Sequence, residues 1–169
     1  MTILDILNYP DPRLHKVASS VDEINSEIIS IVRDMTETMY AAPGIGLSAT
    51  QVNYHKKIII IDISEKKDDL LILINPEIVS SDGQQESQEG CLSVPGIYET
   101  VKRASEISIR ALNIEGDVIE FAVDGKLSIC IQHEMDHLMG KVFVEYLSPL
   151  KKSRIKTKMI KKNKKFEAT

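Results

Sequence analysis

A five-residue motif, His-Glu-Met-Asp-His at residues 133–137, constrains this chain more than any other stretch. On an α-helix, residues four apart project from the same face, with Cβ atoms roughly 5–6 Å apart. His133 and His137 can therefore present two imidazoles to one metal ion, and Glu134 can reach a water at that ion without being a ligand. Two neutral nitrogen ligands beside a proton-shuttling carboxylate are typical of a metal-dependent hydrolase. The motif alone leaves open an amphipathic helix with two half-buried histidines.

Length and composition indicate one globular domain. The chain has 169 residues, 43% of them apolar and 27% charged, ordinary values for a protein with a sizeable core. No stretch approaches the roughly 18 consecutive apolar residues of a membrane span. Residues 1–5 lack a basic segment followed by an apolar one, so we expect no signal peptide. Two cysteines are too few for a disulfide scaffold, which favours a reducing, cytoplasmic setting.

Charge is distributed unevenly along the chain. Residues 151–169 hold nine of the 21 Lys and Arg residues and one of the 25 Asp and Glu residues, which leaves 12 basic and 24 acidic side chains in residues 1–150. We predict a single catalytic domain over residues 1–150 and a basic helical tail over residues 151–169. The tail is either a solvated helix face or a surface that contacts phosphate groups, and such contacts should weaken steeply with salt.

Periodicity predicts an α+β fold in which antiparallel strands pack around a central helix that carries the pentad, with a further N-terminal helix and a basic C-terminal helix. Apolar residues at helical spacing predict the N-terminal helix over residues 24–39, and β-branched runs predict strands over 58–63, 70–74, 107–112 and 118–123. Asp124 is a candidate N-cap and Gly140 a candidate C-cap for the pentad helix. Pro149, after a serine, should open the C-terminal helix.

A catalytic metal usually takes three protein ligands and keeps one position open for water. One extension of the pentad places a histidine six residues after the second one, but that position is Phe143, which excludes that class of protease. Cys91 is the stronger of two cysteine candidates, because Gly90 lets the backbone approach closely and a thiolate suits a borderline divalent metal. Cys130 lies one turn before His133 and is expected to be pocket wall or core. A buried apolar role for Cys91 stays open.

Three segments together resemble the signature motifs of the peptide deformylases, in that family's order. They are Gly-Ile-Gly-Leu-Ser-Ala-Thr-Gln at 44–51, Glu-Gly-Cys-Leu-Ser at 89–93 and Gln-His-Glu-Met-Asp-His at 132–137. The likeness extends over almost the whole chain, including Asn-Pro at 75–76 and Ser-Pro-Leu at 148–150. One departure is Ser48, which stands where the first motif usually has alanine; a residue this small still fits.

The resemblance implies removal of the formyl group from the N-terminal formyl-methionine of new polypeptides, with release of formate. It assigns Cys91, His133 and His137 to the metal, and Glu134 to the proton transfer between an attacking water and the leaving amine. The Gln51 side-chain amide and the Leu92 backbone N–H would stabilise the oxyanion; from its local sequence alone, Gln51 would be solvent-exposed. The family's native ion is Fe2+, and Zn2+, Ni2+ or Co2+ are expected as replacements in purified protein.

The same resemblance predicts a substrate site. Backbone groups of Ile45, Gly46 and Gly90 would bind an extended peptide as an added strand. Apolar side chains would line the methionine pocket, although those on the helix are more often core: Ile45, Leu127, Ile129 and Cys130. Tyr98 and Lys126 would tune side-chain preference.

Charged residues near the motifs have structural alternatives. Asp136 is either a partner that orients a metal ligand or a surface carboxylate. Glu89 and Arg103 are expected to form an ion pair.

The partners implied are N-formylmethionyl nascent peptides and the ribosome, through ribosomal RNA and the basic tail, with no membrane or DNA partner. Deletion of residues 151–169 is expected to weaken ribosome binding and to spare the turnover of small peptides. Two other classes stay open: a metallopeptidase that cuts ordinary amide bonds, and a non-enzymatic ribosome-associated protein with a structural metal. A structural site normally has a fourth protein ligand, and motif spacing supplies three.

Overall fold

The structure is a computed structural model that describes residues 2–167, with side chains through residue 165. Within that span, the chain has the predicted α+β fold, with helices α1 Ser26–Ala41, α2 Gly125–Leu138 and α3 Pro149–Glu167. The strands are β1 Gly46–Ser48, β2 Ile58–Ile61, β3 Leu71–Asp82, β4 Gln85–Cys91, β5 Val94–Arg103, β6 Glu106–Leu112 and β7 Val118–Asp124. Short 3-10 helices cover Pro12–His15, Ala49–Val52 and Phe143–Tyr146. No helix in the described part is long and apolar enough to cross a membrane.

The strands pair antiparallel in two groups. Five of them form one sheet in the order β1-β2-β3-β6-β7, which places β1 at one edge and β7 at the other. The remaining two, β4 and β5, form a separate hairpin. Helix α2 lies against the larger sheet and contacts β1 and β2 as well as β6 and β7. The predicted arrangement of antiparallel strands around the pentad helix is therefore confirmed.

The uninterrupted apolar sequence of β2 follows from its position between two helices. Ile58 and Ile60 pack with the apolar face of α1, whereas Ile59 and Ile61 pack with the apolar face of α2. Each of the four side chains exposes at most 1% of its surface. Because successive side chains of a strand point to opposite faces, a strand covered on both sides needs apolar residues at every position.

Helix α2 presents the pentad to the interior of the molecule. It begins directly after Asp124, the predicted N-cap residue, although the Asp124 side chain makes no capping hydrogen bond. The helix ends at Leu138, and Met139 is its C-cap. Gly140 lies one residue beyond, with φ +78°, and its N–H donates to the His137 carbonyl over 3.1 Å. The predicted boundaries are therefore correct to within one or two residues.

Helix α3 begins at Pro149, as predicted. Two of its apolar side chains, Ile155 and Met159, expose 6% and 1% of their surface and pack with the hydrophobic cluster around β5. The Lys162 ammonium also donates to the Pro95 carbonyl over 3.2 Å. The basic segment therefore shares a hydrophobic core with the rest of the chain.

Three features of the strands differ from the sequence-based expectation. The short strand β1, Gly46–Ser48, was not among the predicted strands. Strand β3 continues beyond residue 74 to Asp82, across a register shift at Asn75 and Pro76. Asn75 has φ +51°, and its side-chain amide bonds to the N–H and the carbonyl of Val21 over 2.8 and 2.9 Å. The hairpin of β4 and β5 was not predicted, because β4 is mostly polar and buries Glu89 alone.

Replacing Gly140 by alanine should destabilise the fold strongly. A Cβ atom there would overlap the His15 carbonyl oxygen, and the left-handed conformation adds about 1–2 kcal/mol. We expect Gly140→Ala to lower the free energy of unfolding by more than about 2 kcal/mol, since overpacking adds to the conformational cost.

Gly116→Ala is the matched control. Its φ is +87°, but the nearest atom to its added Cβ is the Ile24 Cδ1 at 3.8 Å, so only the conformational cost of about 1–2 kcal/mol applies. Denaturant unfolding of both variants measures the difference. Equal losses of stability would contradict the assigned clash.

Candidate metal centre

Three side chains with metal-binding atoms converge between the β4–β5 hairpin and helix α2. Cys91 is the last residue of β4, and His133 and His137 lie four residues apart on one face of α2. Their candidate ligand atoms all lie within 4.8 Å of one another, and the Cys91 Sγ is 3.3 Å from the His137 Nε2. The structure thus brings together the three predicted ligands, from two elements far apart in sequence.

The surroundings distinguish Cys91 from Cys130. Burial raises the pKa of the Cys130 thiol to about 12, with the Glu134 charge adding to the effect. Burial therefore disfavours the thiolate form of Cys130, and this residue lines the neighbouring cleft, in agreement with its predicted role as pocket wall. Phe143, in the place where another protease class has its third histidine, packs its ring against His133 with the centroids 6.0 Å apart.

The two imidazoles differ in their preferred charge. Burial lowers the pKa of His137 well below its usual value, with a smaller effect from the His133 charge, so His137 is neutral as a metal ligand must be. Burial also disfavours the charged form of His133, but the Cys91 thiolate and the Glu89 carboxylate together raise its pKa well above its usual value. A metal cation bound between Cys91 and the two imidazoles would take the place of the proton on His133, so the donor set fits a metal ion.

A series of hydrogen bonds between charged groups holds His133 through its Nδ1 atom. Its Nδ1 lies 2.8 Å from the Glu89 Oε1, and Arg103 donates two bonds of 2.8 Å to the same carboxylate. Arg103 also donates to the Asp136 Oδ2 over 2.5 Å, and the Tyr146 hydroxyl donates to that oxygen over 2.8 Å. The expected ion pair of Glu89 and Arg103 is present, and Asp136 is joined to it. Such bonds determine which ring nitrogen of His133 faces the centre.

The Glu134 carboxylate lies beside the candidate ligands. Its Oε1 is 3.8 Å from the His133 Nε2 and 3.9 Å from the His137 Nε2. Its Oε2 is buried, and no other described residue hydrogen-bonds to it. Burial raises the pKa of Glu134 to about 7, close to the value that suits a group exchanging protons at neutral pH. The unpartnered oxygen and this pKa are consistent with a site that takes up a water.

Gln51 is buried, contrary to the exposure that its local sequence favoured. It exposes 1% of its surface, and its Nε2 lies 3.4 Å from the Cys91 Sγ and 3.0 Å from the Ser93 Oγ. Its Oε1 accepts from the Ser48 N–H over 3.0 Å. The side-chain amide is therefore held with its NH2 group toward the candidate metal centre.

A cleft of about 770 Å³ opens in front of these groups. The cleft is lined by all five predicted substrate-site residues, Ile45, Gly46, Gly90, Ile129 and Cys130. It is also lined by Gln51, Leu92, Tyr98 and Lys126. Leu127 does not line it; this residue packs against the hydrophobic cluster between α2 and the sheet. For Leu127 the structure therefore favours the second of the two predicted roles, a core residue, over a place in the methionine pocket.

Three residues at the site were given no role from the sequence. Ser93 accepts from the Gln51 amide, Ser48 contacts its oxygen, and Tyr146 bonds to Asp136. Ser48 and Ser93 lie within the first and second motifs, so their position was a usable signal. Tyr146 is far from every motif, and nothing local in the sequence indicates its contact.

Comparison with known proteins decides the family. The sequence model described as Polypeptide deformylase matches residues 3–153. The chain belongs to the polypeptide deformylase family. It is 62% identical over 161 residues to peptide deformylase 2 of Nitrosomonas europaea, covering 95% of this chain and 87% of that one. It is also 62% identical over 162 residues to peptide deformylase 1 of Burkholderia multivorans, covering 95% and 90%.

Solved structures agree with the sequence comparison. A peptide deformylase from Legionella pneumophila superposes with a TM-score of 0.93 at 42% identity, over 99% of this chain and 98% of that one. A peptide deformylase from Ehrlichia chaffeensis, solved in complex with actinonin, superposes with a TM-score of 0.92 at 37% identity, over 96% and 98%.

Family membership identifies the reaction. The enzyme is a metal-dependent hydrolase that removes the formyl group from N-formylmethionyl peptides, so the predicted activity is confirmed. The two alternatives from the sequence, an ordinary metallopeptidase and a non-enzymatic protein with a structural metal, are set aside. The Cys91, His133 and His137 group is its metal-capable site.

Metal binding should depend on one cysteine and not on the other. We expect Cys91→Ala to lose most of its bound metal, because it removes a converging ligand, and Cys130→Ala to retain the stoichiometry of the unmodified protein. Metal content of anaerobically purified protein, measured by elemental analysis per folded chain, tests this. Normal metal content in Cys91→Ala would contradict the assignment.

Proposed function

We propose that Cys91, His133 and His137 hold one Fe2+ ion in the native enzyme, with Zn2+, Ni2+ or Co2+ as replacements in purified protein. The observation that supports this most is the convergence of one thiolate and two imidazoles within 4.8 Å of one another. Such a donor set suits borderline divalent metals, and the choice of iron follows the family resemblance. When bound, the ion supplies Lewis acidity and lowers the pKa of a water from about 16 toward about 7.

Glu134 is the general acid and base of the proposed mechanism. Its carboxylate accepts a proton from the water that adds to the formyl carbon, and then gives that proton to the amine nitrogen as the carbon–nitrogen bond breaks. The products are formate and a peptide with a free amino terminus. Burial beside the two histidines supports this role, since it holds the pKa of Glu134 near 7 and a matched pKa favours transfer in both directions.

Gln51 and Leu92 would stabilise the negative charge that develops on the formyl oxygen. The Gln51 Nε2 already points toward the centre, and Leu92 directly follows Cys91 in the turn between β4 and β5. Because Leu92 directly follows Cys91 in the chain, the contacts that fix the position of Cys91 also fix the position of the Leu92 N–H. One donor of this kind is worth roughly 3–4 kcal/mol of transition-state stabilisation.

The substrate would lie in the cleft as an extended chain. Strand β1 is the edge of the five-stranded sheet, so Gly46 would offer backbone groups along that edge. Ile45 directly precedes β1, and because its carbonyl already accepts from the Asp62 N–H over 2.8 Å, its N–H is the group that it would offer. Gly90 lies across the cleft on β4. Edge pairing of this kind binds a peptide by its main chain. Ile129 and Cys130, which are half-buried in the same cleft, would contact the methionine side chain.

Formate release from a formyl-Met-Ala-Ser peptide tests the chemistry. The protein is prepared without oxygen and loaded with Fe2+, and Glu134→Gln keeps the shape of the side chain without its basicity. We expect kcat to fall by about 10²–10⁴-fold, the usual contribution of a general acid-base group, with metal content unchanged. Glu115→Ala, at an exposed turn, should match the unmodified enzyme. Undiminished release by Glu134→Gln would contradict the mechanism.

We propose that residues 1–150 form the catalytic domain and that residues 151–169 contact ribosomal RNA in the cytoplasm. The basic residues of the segment up to Lys161 are exposed, although Ile155 and Met159 are buried. A basic helix face of this kind fits a phosphate backbone. Deletion of the segment would also remove two core side chains, so charge reversal is the cleaner test.

Reversal of three exposed charges on α3, in Lys152→Glu, Lys156→Glu and Lys164→Glu combined, should weaken ribosome binding. The salt dependence of binding should become shallower, by about 0.7–0.9 in the log-log slope for each phosphate that the helix no longer neutralises. The control carries Lys16→Glu, Lys66→Glu and Lys67→Glu, three exposed residues elsewhere with the same change in net charge. Cosedimentation with ribosomes at several salt concentrations measures both. Equally weakened binding in the two variants would contradict a specific role of α3, and peptide turnover should be unchanged in each.

A further inference from the structure

The amide of Gln51 is held at its oxygen by two groups of one residue. Its Oε1 accepts from the Ser48 N–H over 3.0 Å and from the Ser48 hydroxyl over 3.3 Å. Ser48 exposes none of its surface and Gln51 only 1%, so water does not compete for these bonds. The other end of the amide, Nε2, faces the Cys91 Sγ and the Ser93 Oγ.

These contacts determine which way round the amide lies. A backbone N–H is a donor only, so the group that faces the Ser48 N–H must be the Gln51 oxygen, and the NH2 must point toward the metal-capable site. The hydroxyls of Ser48 and Ser93 can each donate or accept, so they adapt to this orientation and add to its stability. The Ser48 hydroxyl is an additional contact on Gln51, since an alanine at this position, usual in the first motif, has only the backbone N–H to offer.

We propose that the Ser48 hydroxyl is a positioning group for Gln51. By donating to Oε1, it restricts rotation of the amide plane and keeps an Nε2 hydrogen directed at the place where the formyl oxygen gains charge. Preorganised donors stabilise a transition state without reorganising during the reaction. This inference rests on the proposed role of Gln51 as an oxyanion donor.

A double-mutant cycle tests the coupling. The variants are Ser48→Ala, Gln51→Ala and the two combined, each assayed for kcat and KM of formate release after its metal content has been measured. We expect Ser48→Ala to lower kcat about three- to tenfold, the range of one neutral hydrogen bond, with little change in KM. In the Gln51→Ala background, the same substitution should change kcat less than about twofold, because its target is absent.

Ser128→Ala is the matched control for the loss of a buried hydroxyl. Ser128 exposes none of its surface and lies outside the cleft. Its Oγ donates to the Ala104 carbonyl over 3.3 Å and accepts from the Gln132 Nε2 over 2.9 Å. We expect this variant to lose stability as Ser48→Ala does while its kcat stays unchanged. Equal losses of kcat in the two serine variants would show a general effect of destabilisation and would overturn the proposal.

The side-chain amide of Gln51 offers a readout that does not depend on turnover. The pair of signals from this NH2 group in a ¹H–¹⁵N spectrum can be assigned because it is absent from the spectrum of Gln51→Ala. In Ser48→Ala, we expect the chemical shifts of the pair to change and its hydrogens to exchange faster with water. An unmoved signal pair, or an effect of Ser48→Ala on kcat that persists in full without Gln51, would refute the positioning role. A normal kcat in Gln51→Ala would instead refute the proposed function of Gln51 itself.

Discussion

The side chain of Arg103 connects the β4–β5 hairpin to helix α2 beside the metal-capable site. Its guanidinium is almost fully buried, donates two bonds to Glu89 on the hairpin, and donates a third to Asp136 on helix α2. Glu89 in turn bonds to His133. A buried charge is tolerated only when its hydrogen bonds are satisfied, and removal of one partner from such a pair typically costs about 3–5 kcal/mol. Arg103 and Glu89 both belong to the hairpin that carries Cys91, and their bonds to Asp136 and His133 join that hairpin to the helix that carries the histidines.

The low-polarity surroundings of the centre have a chemical consequence. Because the site lies between a sheet-packed helix and a hairpin, the carboxylate of Glu134 is removed from bulk water, and its pKa is raised to about 7. The same burial keeps His137 neutral. Burial thus places a neutral imidazole and a carboxyl group with a pKa of about 7 side by side, next to the cleft.

The sequence predicted the parts of this structure whose signals are local. The pentad helix, the β6–β7 hairpin, the N-terminal helix and the start at Pro149 each follow from periodicity or capping. The β4–β5 hairpin has no such signal, because its polar residues are held by contacts such as the one between Glu89 and Arg103, which are distant in sequence. For the same reason, the burial of Gln51 was not predicted from the residues around it; it depends on Ser93, in the second motif. The convergence of Cys91, His133 and His137 could be expected in advance because all three residues lie within sequence motifs.

The most direct test of this site is the identity of the atoms around the metal. X-ray absorption fine structure of the Zn2+-loaded protein reports the number and type of neighbouring atoms. The proposed ligands predict one sulfur at about 2.3 Å and two imidazole nitrogens at about 2.0–2.1 Å. A spectrum without sulfur would remove Cys91 from the centre, and one with two sulfurs would bring Cys130 into it. Either result would contradict the Cys91, His133 and His137 site.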